Sequence, residues 1–384
     1  MGYGYMVQRA IKIAAPSGAS QKLEYKSSPR LVEAKSALYR RIFVDLKNPS
    51  GSLSAGGHVM TAHLMALLSR VANYDAEYGD RLSNHLPMAL IALYRLGADE
   101  VALEQFFTAY AVKLRPKSPP GAPLTQSTWS AHRGHHAHHG ALAAFFADEL
   151  NRLGVTKLLR IYLPHLLPGI GGAAFHGLIR TAYGLDINAP AEIIEGLAHW
   201  ADTYLPLGGS IGDGKSSRPK ALLTALRAET GFRPLPQAAP TIFERMTTVA
   251  ADPTFDPYTE KISLSAAALP EIAEIALGAY LATRDFTALH FVTATHALRL
   301  ILPFTSAEVA VSHFWIAFMA AYVSIGCPDP RPPAAGAGFP PWSELLGKVI
   351  QSINDHAIKL AYTCRKEERQ YGNPGYRQAV ALLV

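Results

Sequence analysis

Three successive segments, 271–283, 287–303 and 308–325, are apolar almost all the way round a helical wheel, and nothing else constrains the fold as tightly. A helix with one wet face shows a stripe, whereas one apolar on every side must be enclosed by other helices or by lipid. The longest uncharged apolar stretch, Phe314 to Cys327, falls short of the roughly 20 residues that a bilayer crossing needs, so enclosure by protein is expected and a membrane span is not. Elsewhere Leu90, Leu93 and Leu96 repeat at helical spacing, as do Leu142, Phe145, Phe146, Leu150 and Leu153. The segment 345–364 places Leu346, Val349, Ile350, Ile353, Ala357, Leu360 and Cys364 on one face, which predicts one long helix. Period-2 runs of β-branched residues are missing. The expected fold is all-α: a single large multi-helical domain with buried apolar helices over 31–384, after a loosely ordered N-terminal segment, 1–30.

Composition excludes several classes. With 49% apolar and only 17% charged residues, the chain is not intrinsically disordered. Soluble proteins carry roughly 25% charged residues, so this surface is small, apolar or covered, and a homodimer would cover it. Cys327 and Cys364 are the only cysteines and form no CxxC pair, which excludes a disulfide scaffold. The net charge of +6 comes without a Lys/Arg run, so no nucleic-acid partner is expected. Arg9, Lys12 and Lys22 are followed by no apolar core of signal-peptide length, and a cytoplasmic location is the default.

Turn chemistry marks the boundaries. Asn84 or Ser83 can cap a helix with Pro87 in its first turn and Gly97 at its end. Residues 114–124 and 327–341 read as loops, and 206–219 as a flexible Gly/Ser-rich one. Within the last, 209–216 matches the phosphate-loop pattern GxxxxGK[ST], but no buried strand precedes it and Pro219 falls where the helix should be running. Residues 169–174 match the dinucleotide pattern GxGxxA, with Pro164 and Pro168 where its strand belongs. Both matches read as accidental.

Fifteen histidines are the remaining signal. His132, His135, His136, His138 and His139 crowd into one short segment, which reads as a solvated loop without the packing that fixes metal ligands. Among the others, His85, His176, His290, His296, His313 and His356 lie in or beside apolar helices, and His356 stands three residues before Lys359. His290 and His296 lie about 120° apart around a helix, so one cavity would receive only one of them. A single buried histidine is usually hydrogen-bonded to a backbone carbonyl, while several converging would be natural metal ligands. Lys359 sits at the edge of its apolar stripe, where a lysine commonly extends to solvent.

Four blocks, Asn84–Ala98, Gly172–Leu185, Leu289–Arg299 and Asp355–Lys359, resemble the questin oxidase-like family in that order, over residues 58 to about 365. The resemblance implies oxidative ring opening of anthraquinones, a Baeyer–Villiger-like reaction dependent on oxygen and reduced nicotinamide (NADPH). It further implies a non-haem iron centre held by histidines and a carboxylated lysine. Carried onto this chain, the ligands are His85, His176, His290 and His356, with Lys359 as the lysine; no catalytic residue beyond these is implied. Met88 and Ala89 stand where fungal relatives often have further histidines, which bears on the substrate more than on the metal. Four imidazoles and one carbamate oxygen would leave one position of an octahedral iron open, though the same donors accept zinc, nickel or copper.

The reading is thus a metal-dependent oxidoreductase using O2 on a small hydrophobic, aromatic or polyketide-like substrate. Two alternatives stand beside it: an NADPH-dependent, metal-free oxidase of the Baeyer–Villiger type, and a non-catalytic helical binding protein for an apolar ligand.

Overall fold

A computed structural model describes residues 60–212, 218–229, 241–334 and 338–384, all within one compact unit, Ser50–Val384. The segment 1–30, expected to be loosely ordered, lies outside the described residues.

The fold is a single all-α domain, as expected. Its helices are α1 (Ala62–Val71), α2 (Leu86–Leu96), α3 (Glu100–Ala111), α4 (His139–Leu166), α5 (His176–Asp186), α6 (Pro190–Asp202), α7 (Pro219–Ala228) and α8 (Ile242–Ala250). They continue with α9 (Asp256–Thr259), α10 (Leu269–Thr283), α11 (Phe286–Ile301), α12 (Ala307–Ser324), α13 (Trp342–Ile350), α14 (Asp355–Tyr371) and α15 (Gly375–Ala381). The strands among the described residues form one short hairpin, β1 (Glu77–Tyr78) with β2 (Leu82–Ser83).

The three all-round apolar segments are α10, α11 and α12. By length and composition, Ala266–Thr283 and Ala307–Ser324 could cross a membrane, yet most of their residues are buried inside the fold. Trp315 and Phe318 of α12 stack with ring centroids 5.0 Å apart, and Phe291 of α11 lies 4.4 Å from Phe318. Burying such side chains contributes about 1.5–3 kcal/mol each, which explains why the centre of the chain could dispense with polar faces.

Four helices close a ring at the centre of the domain. α11 packs on α5 and α14, α14 on α2, and α2 on α5. Each contributes its N-terminal end to the same region.

Several boundaries differ from expectation. The predicted helix over 345–364 is two helices, α13 and α14, because Asn354 accepts hydrogen bonds from the His356 and Ala357 amides and starts a new one. Ile353, assigned to the apolar face, is 77% exposed in the break. The cap of α2 is His85 itself, although the Asn84 side chain still accepts from the Leu86 amide, and Gly97 ends the helix with a left-handed φ of 97°. Pro219 opens α7 rather than interrupting a helix, consistent with proline's place in a first turn. Of the phosphate-loop match, 213–216 lie outside the described residues, as do 213–217 of the loop read as flexible.

Candidate metal centre

His85 is at the cap of α2, His176 is the first residue of α5, His290 lies in the second turn of α11, and His356 follows the first residue of α14. Four histidines from four separate helices meet here. Ring centroids of His85 lie 4.4 Å from His176 and 4.6 Å from His356; His290 lies 4.9 Å from His176 and 5.5 Å from His356. Ligand nitrogens of His85, His176 and His356 all fall within 4.8 Å of one another; His290 is not part of that closer group.

The hydrogen bonding is the same at every ring. Nδ1 is occupied in each: His85 and His356 bond to Asp355 Oδ2, the latter at 3.2 Å; His176 bonds to the Ala173 carbonyl, and His290 to the Phe286 carbonyl at 2.7 Å. Nε2 is buried and without a hydrogen-bond partner in all four. A neutral imidazole whose Nδ1–H is donated keeps its lone pair on Nε2, so each of the four rings offers a lone pair at the same cavity. Orphaned buried polar atoms are rare because each forfeits its solvation, and a bound cation would satisfy those of the three residues whose ligand atoms lie within 4.8 Å of one another.

Electrostatics keep the rings neutral. Burial lowers His85, His176 and His290 well below the ordinary histidine value, and lowers His356 too; the charge of Lys359 acts in the same direction on all four. Lys359, expected at the edge of the stripe, is instead 1% exposed. Burial pulls its ammonium down from 10.5 to about 8, against the opposing pull of Asp355. Burial alone would raise the Asp355 carboxyl, but hydrogen bonds from His356 and His85 outweigh it and hold the group well below the usual carboxylate range.

The backbone is bent to fit this site. Residues Ala173, Ala174 and Phe175 all have left-handed φ, between 44° and 68°, a strained run for non-glycine residues. That run aims the Ala173 carbonyl at His176, so the segment matching GxGxxA orients the His176 ring and lies in no strand-to-helix turn. A Cβ on Gly172 would overlap the Thr203 carbonyl oxygen. Gly172→Ala is therefore expected to destabilise the protein by about 1–3 kcal/mol, read as a lower urea midpoint; an unchanged midpoint would refute the close approach.

The remaining histidines go elsewhere. His296 points away from His290, as its spacing requires, and bonds Glu367 at 2.6 Å. His313 is half-buried and lowered to about 4 by burial alone. The histidine-rich segment corrects the solvated-loop expectation: it forms a 3-10 turn, Trp129–His132, and the start of α4, with His136 and His139 only 14% exposed at their side chains. Backbone bonds from Gly134 to the Ala201 carbonyl and from His136 to the Asp202 carbonyl clamp it to α6.

A cavity of about 720 Å³ opens onto the four rings. Tyr78, Leu82, Ile242, Phe243, Phe286 and Ile325 give it apolar walls, and Arg81 and Arg245 add two cations. Phe286, half exposed, lies 4.4 Å from the His356 ring and 4.8 Å from that of His290. Sequence reasoning missed Asp355, Phe286 and the two arginines. Only Asp355 left a signal, as a carboxylate directly beside a histidine of the fourth block.

The sequence model of questin oxidase-like proteins matches residues 82–364. The chain belongs to the questin oxidase-like family. The match begins just before His85 and ends after Lys359, so the four histidines and Lys359 lie within it, and membership makes the chain an oxidoreductase. No curated protein matches the chain significantly.

Proposed function

We propose that the chain is a metal-dependent oxidase, holding non-haem iron through His85, His176, His290 and His356, that uses O2 to open or insert into the ring of an aromatic, polyketide-like molecule. The observation that carries this reading is the convergence of four buried, unpartnered Nε2 atoms, each with its Nδ1 already held. Bound iron would supply the oxygen activation that no side chain here can perform.

The residues of the chain have separable tasks. Asp355 fixes two rings in the tautomer that offers Nε2, and the Ala173 and Phe286 carbonyls fix the other two. Lys359, with its pKa brought down to about 8, is neutral in roughly a tenth of molecules at pH 7, far more than an ordinary lysine. Its Nζ lone pair can bond to the carbon of carbon dioxide while one proton leaves to water, giving an anionic carbamate. The N-terminal ends of α2, α5 and α14 favour an anion at this point. A cavity of this size suits a fused aromatic molecule, since small-molecule sites commonly span about 300–1,000 Å³. Arg81 and Arg245 suit phenolate or carboxylate groups on it, and Phe286 limits water at the rings.

Metal analysis of protein prepared without a histidine tag tests the proposal. The expected result is iron near one equivalent, lost in His176→Ala and in His356→Ala, and oxygen uptake that requires a hydroxylated anthraquinone or similar aromatic. Metal-free protein that still oxidises such a substrate would sink it. A ligand bound unchanged without oxygen uptake would favour a binding protein.

A further inference from the structure

Two residues in the cavity wall present their side chains to open space rather than to the fold. The first is Phe286, at the start of α11. Its carbonyl accepts from His290 Nδ1 at 2.7 Å, which ties its backbone to the centre. Its ring packs on the imidazoles of His356 and His290, yet the residue is 52% exposed and lines the cavity.

The second is Arg81, exposed in the turn between β1 and β2. Its φ of 62° is left-handed, a conformation that glycine or asparagine adopts at less cost. Arg115 Nη2 donates to the Gly79 carbonyl at 2.7 Å and holds this turn from one side. Tyr78 and Leu82 pair across its base, and both line the cavity. The other ionised side chains in the lining are engaged: Asp285 Oδ1 accepts from the Thr287 amide at 2.6 Å, and Arg245 donates to Thr287 Oγ1 at 3.2 Å. Arg81 makes no hydrogen bond or ion pair among the described residues.

We propose that Phe286 and Arg81 set the specificity of the cavity, selecting a flat fused-ring carboxylic acid whose ring lies on Phe286 and whose carboxylate is held by Arg81. The inference rests on the reading of the cavity as the substrate site, and narrows its occupant from aromatic molecules to aromatic acids.

The chemistry favours this pairing. A flat ring against Phe286 adds a directional aromatic contact to simple burial, which a saturated ring of similar size cannot make. A guanidinium matches a carboxylate with two parallel hydrogen bonds. A carboxylate is also ionised throughout the neutral range, whereas a simple phenol is not. One apolar platform and one charged anchor are what orient a ligand in a largely apolar pocket.

Calorimetric binding to the metal-free, untagged full chain tests the proposal with three probes: anthracene-2-carboxylate, 2-(hydroxymethyl)anthracene and the saturated acid, perhydroanthracene-2-carboxylate. The flat acid is expected to bind about 10-fold more tightly than the alcohol, with the margin shrinking as salt rises. Arg81→Gln should erase that margin, and Arg81→Lys should keep part of it. Phe286→Leu should cut the preference for the flat over the saturated acid about 2–10-fold and leave the acid-over-alcohol margin in place. A merely structural role for either residue would not separate the two margins. Equal binding of acid and alcohol by the wild type, no binding of any probe, or variants that move both margins together would overturn the proposal. The measurement involves neither metal nor turnover, so a protein with these margins and no oxygen uptake would sink the oxidase reading alone.

Discussion

Asp355→Asn is expected to weaken metal binding about 10–100-fold and to depress oxygen-dependent turnover by at least as much, with the fold intact. One carboxylate oxygen accepts from Nδ1 of both His85 and His356. A carboxylate can only accept, so both rings must carry their proton on Nδ1 and present lone pairs at Nε2. An amide of the same shape has one accepting oxygen and one donating nitrogen. If its nitrogen faces either ring, that ring flips to the tautomer with Nε2–H, and a ligand becomes a blocked donor. The comparable loss in a catalytic triad, where an asparagine holds its histidine in the wrong tautomer, is about 10⁴ in turnover. Affinity is read by competition with a chelator, and folding by near-ultraviolet circular dichroism. Wild-type affinity in Asp355→Asn would show that the two rings are oriented by packing alone.

That dependence also explains which parts of the site were legible in the sequence. The four histidines were marked by the order of their blocks, because each sits in an apolar segment that has no other use for an imidazole. Their meeting could not be read from spacing, since they come from α2, α5, α11 and α14 and only the ring formed by those helices brings them together. Asp355 was hidden by a duller explanation. An acidic residue just after an asparagine cap reads as a partner of the helix dipole, and its hydrogen bond to His85 spans 270 residues. The helix over 345–364 was misread because its apolar period continues through Ser352 and Ile353, whereas the asparagine cap that divides it acts through two backbone amides. The apolar centre was easier: segments without a wet face can only be enclosed, and α10–α12 are.

The histidine-rich segment taught the reverse lesson. Small polar residues and glycines around it imitate a mobile loop, yet its backbone amides are taken up by Ala201 and Asp202 of α6. Composition measured its solubility and missed its anchoring.

Lys359→Met is expected to make the metal-free protein more stable by roughly 3 kcal/mol at neutral pH while reducing oxygen-dependent activity to background. Lys359 is fully enclosed, and burial lowers it from 10.5 to about 8. Holding a proton there at pH 7 works against folding by that lowering, whereas methionine fills a similar volume with no charge to desolvate. The pH dependence fixes the cause. For a lysine depressed in the folded state, the penalty is complete below about 8, where both states are protonated. Between about 8 and 10.5 the unfolded chain binds the proton and the folded one does not, so wild-type stability gains on the variant as pH rises. Above about 10.5 the difference from this source is gone. Urea denaturation of both metal-free proteins from pH 6 to 10.5 reads the closing gap directly, and other titrating groups cancel in the comparison. Removing dissolved carbon dioxide and bicarbonate should reversibly lower activity of the wild type, because the lysine then stays an amine. A stability gap that does not change with pH would show that methionine acts by packing, and full activity in Lys359→Met would remove the lysine from the site's chemistry.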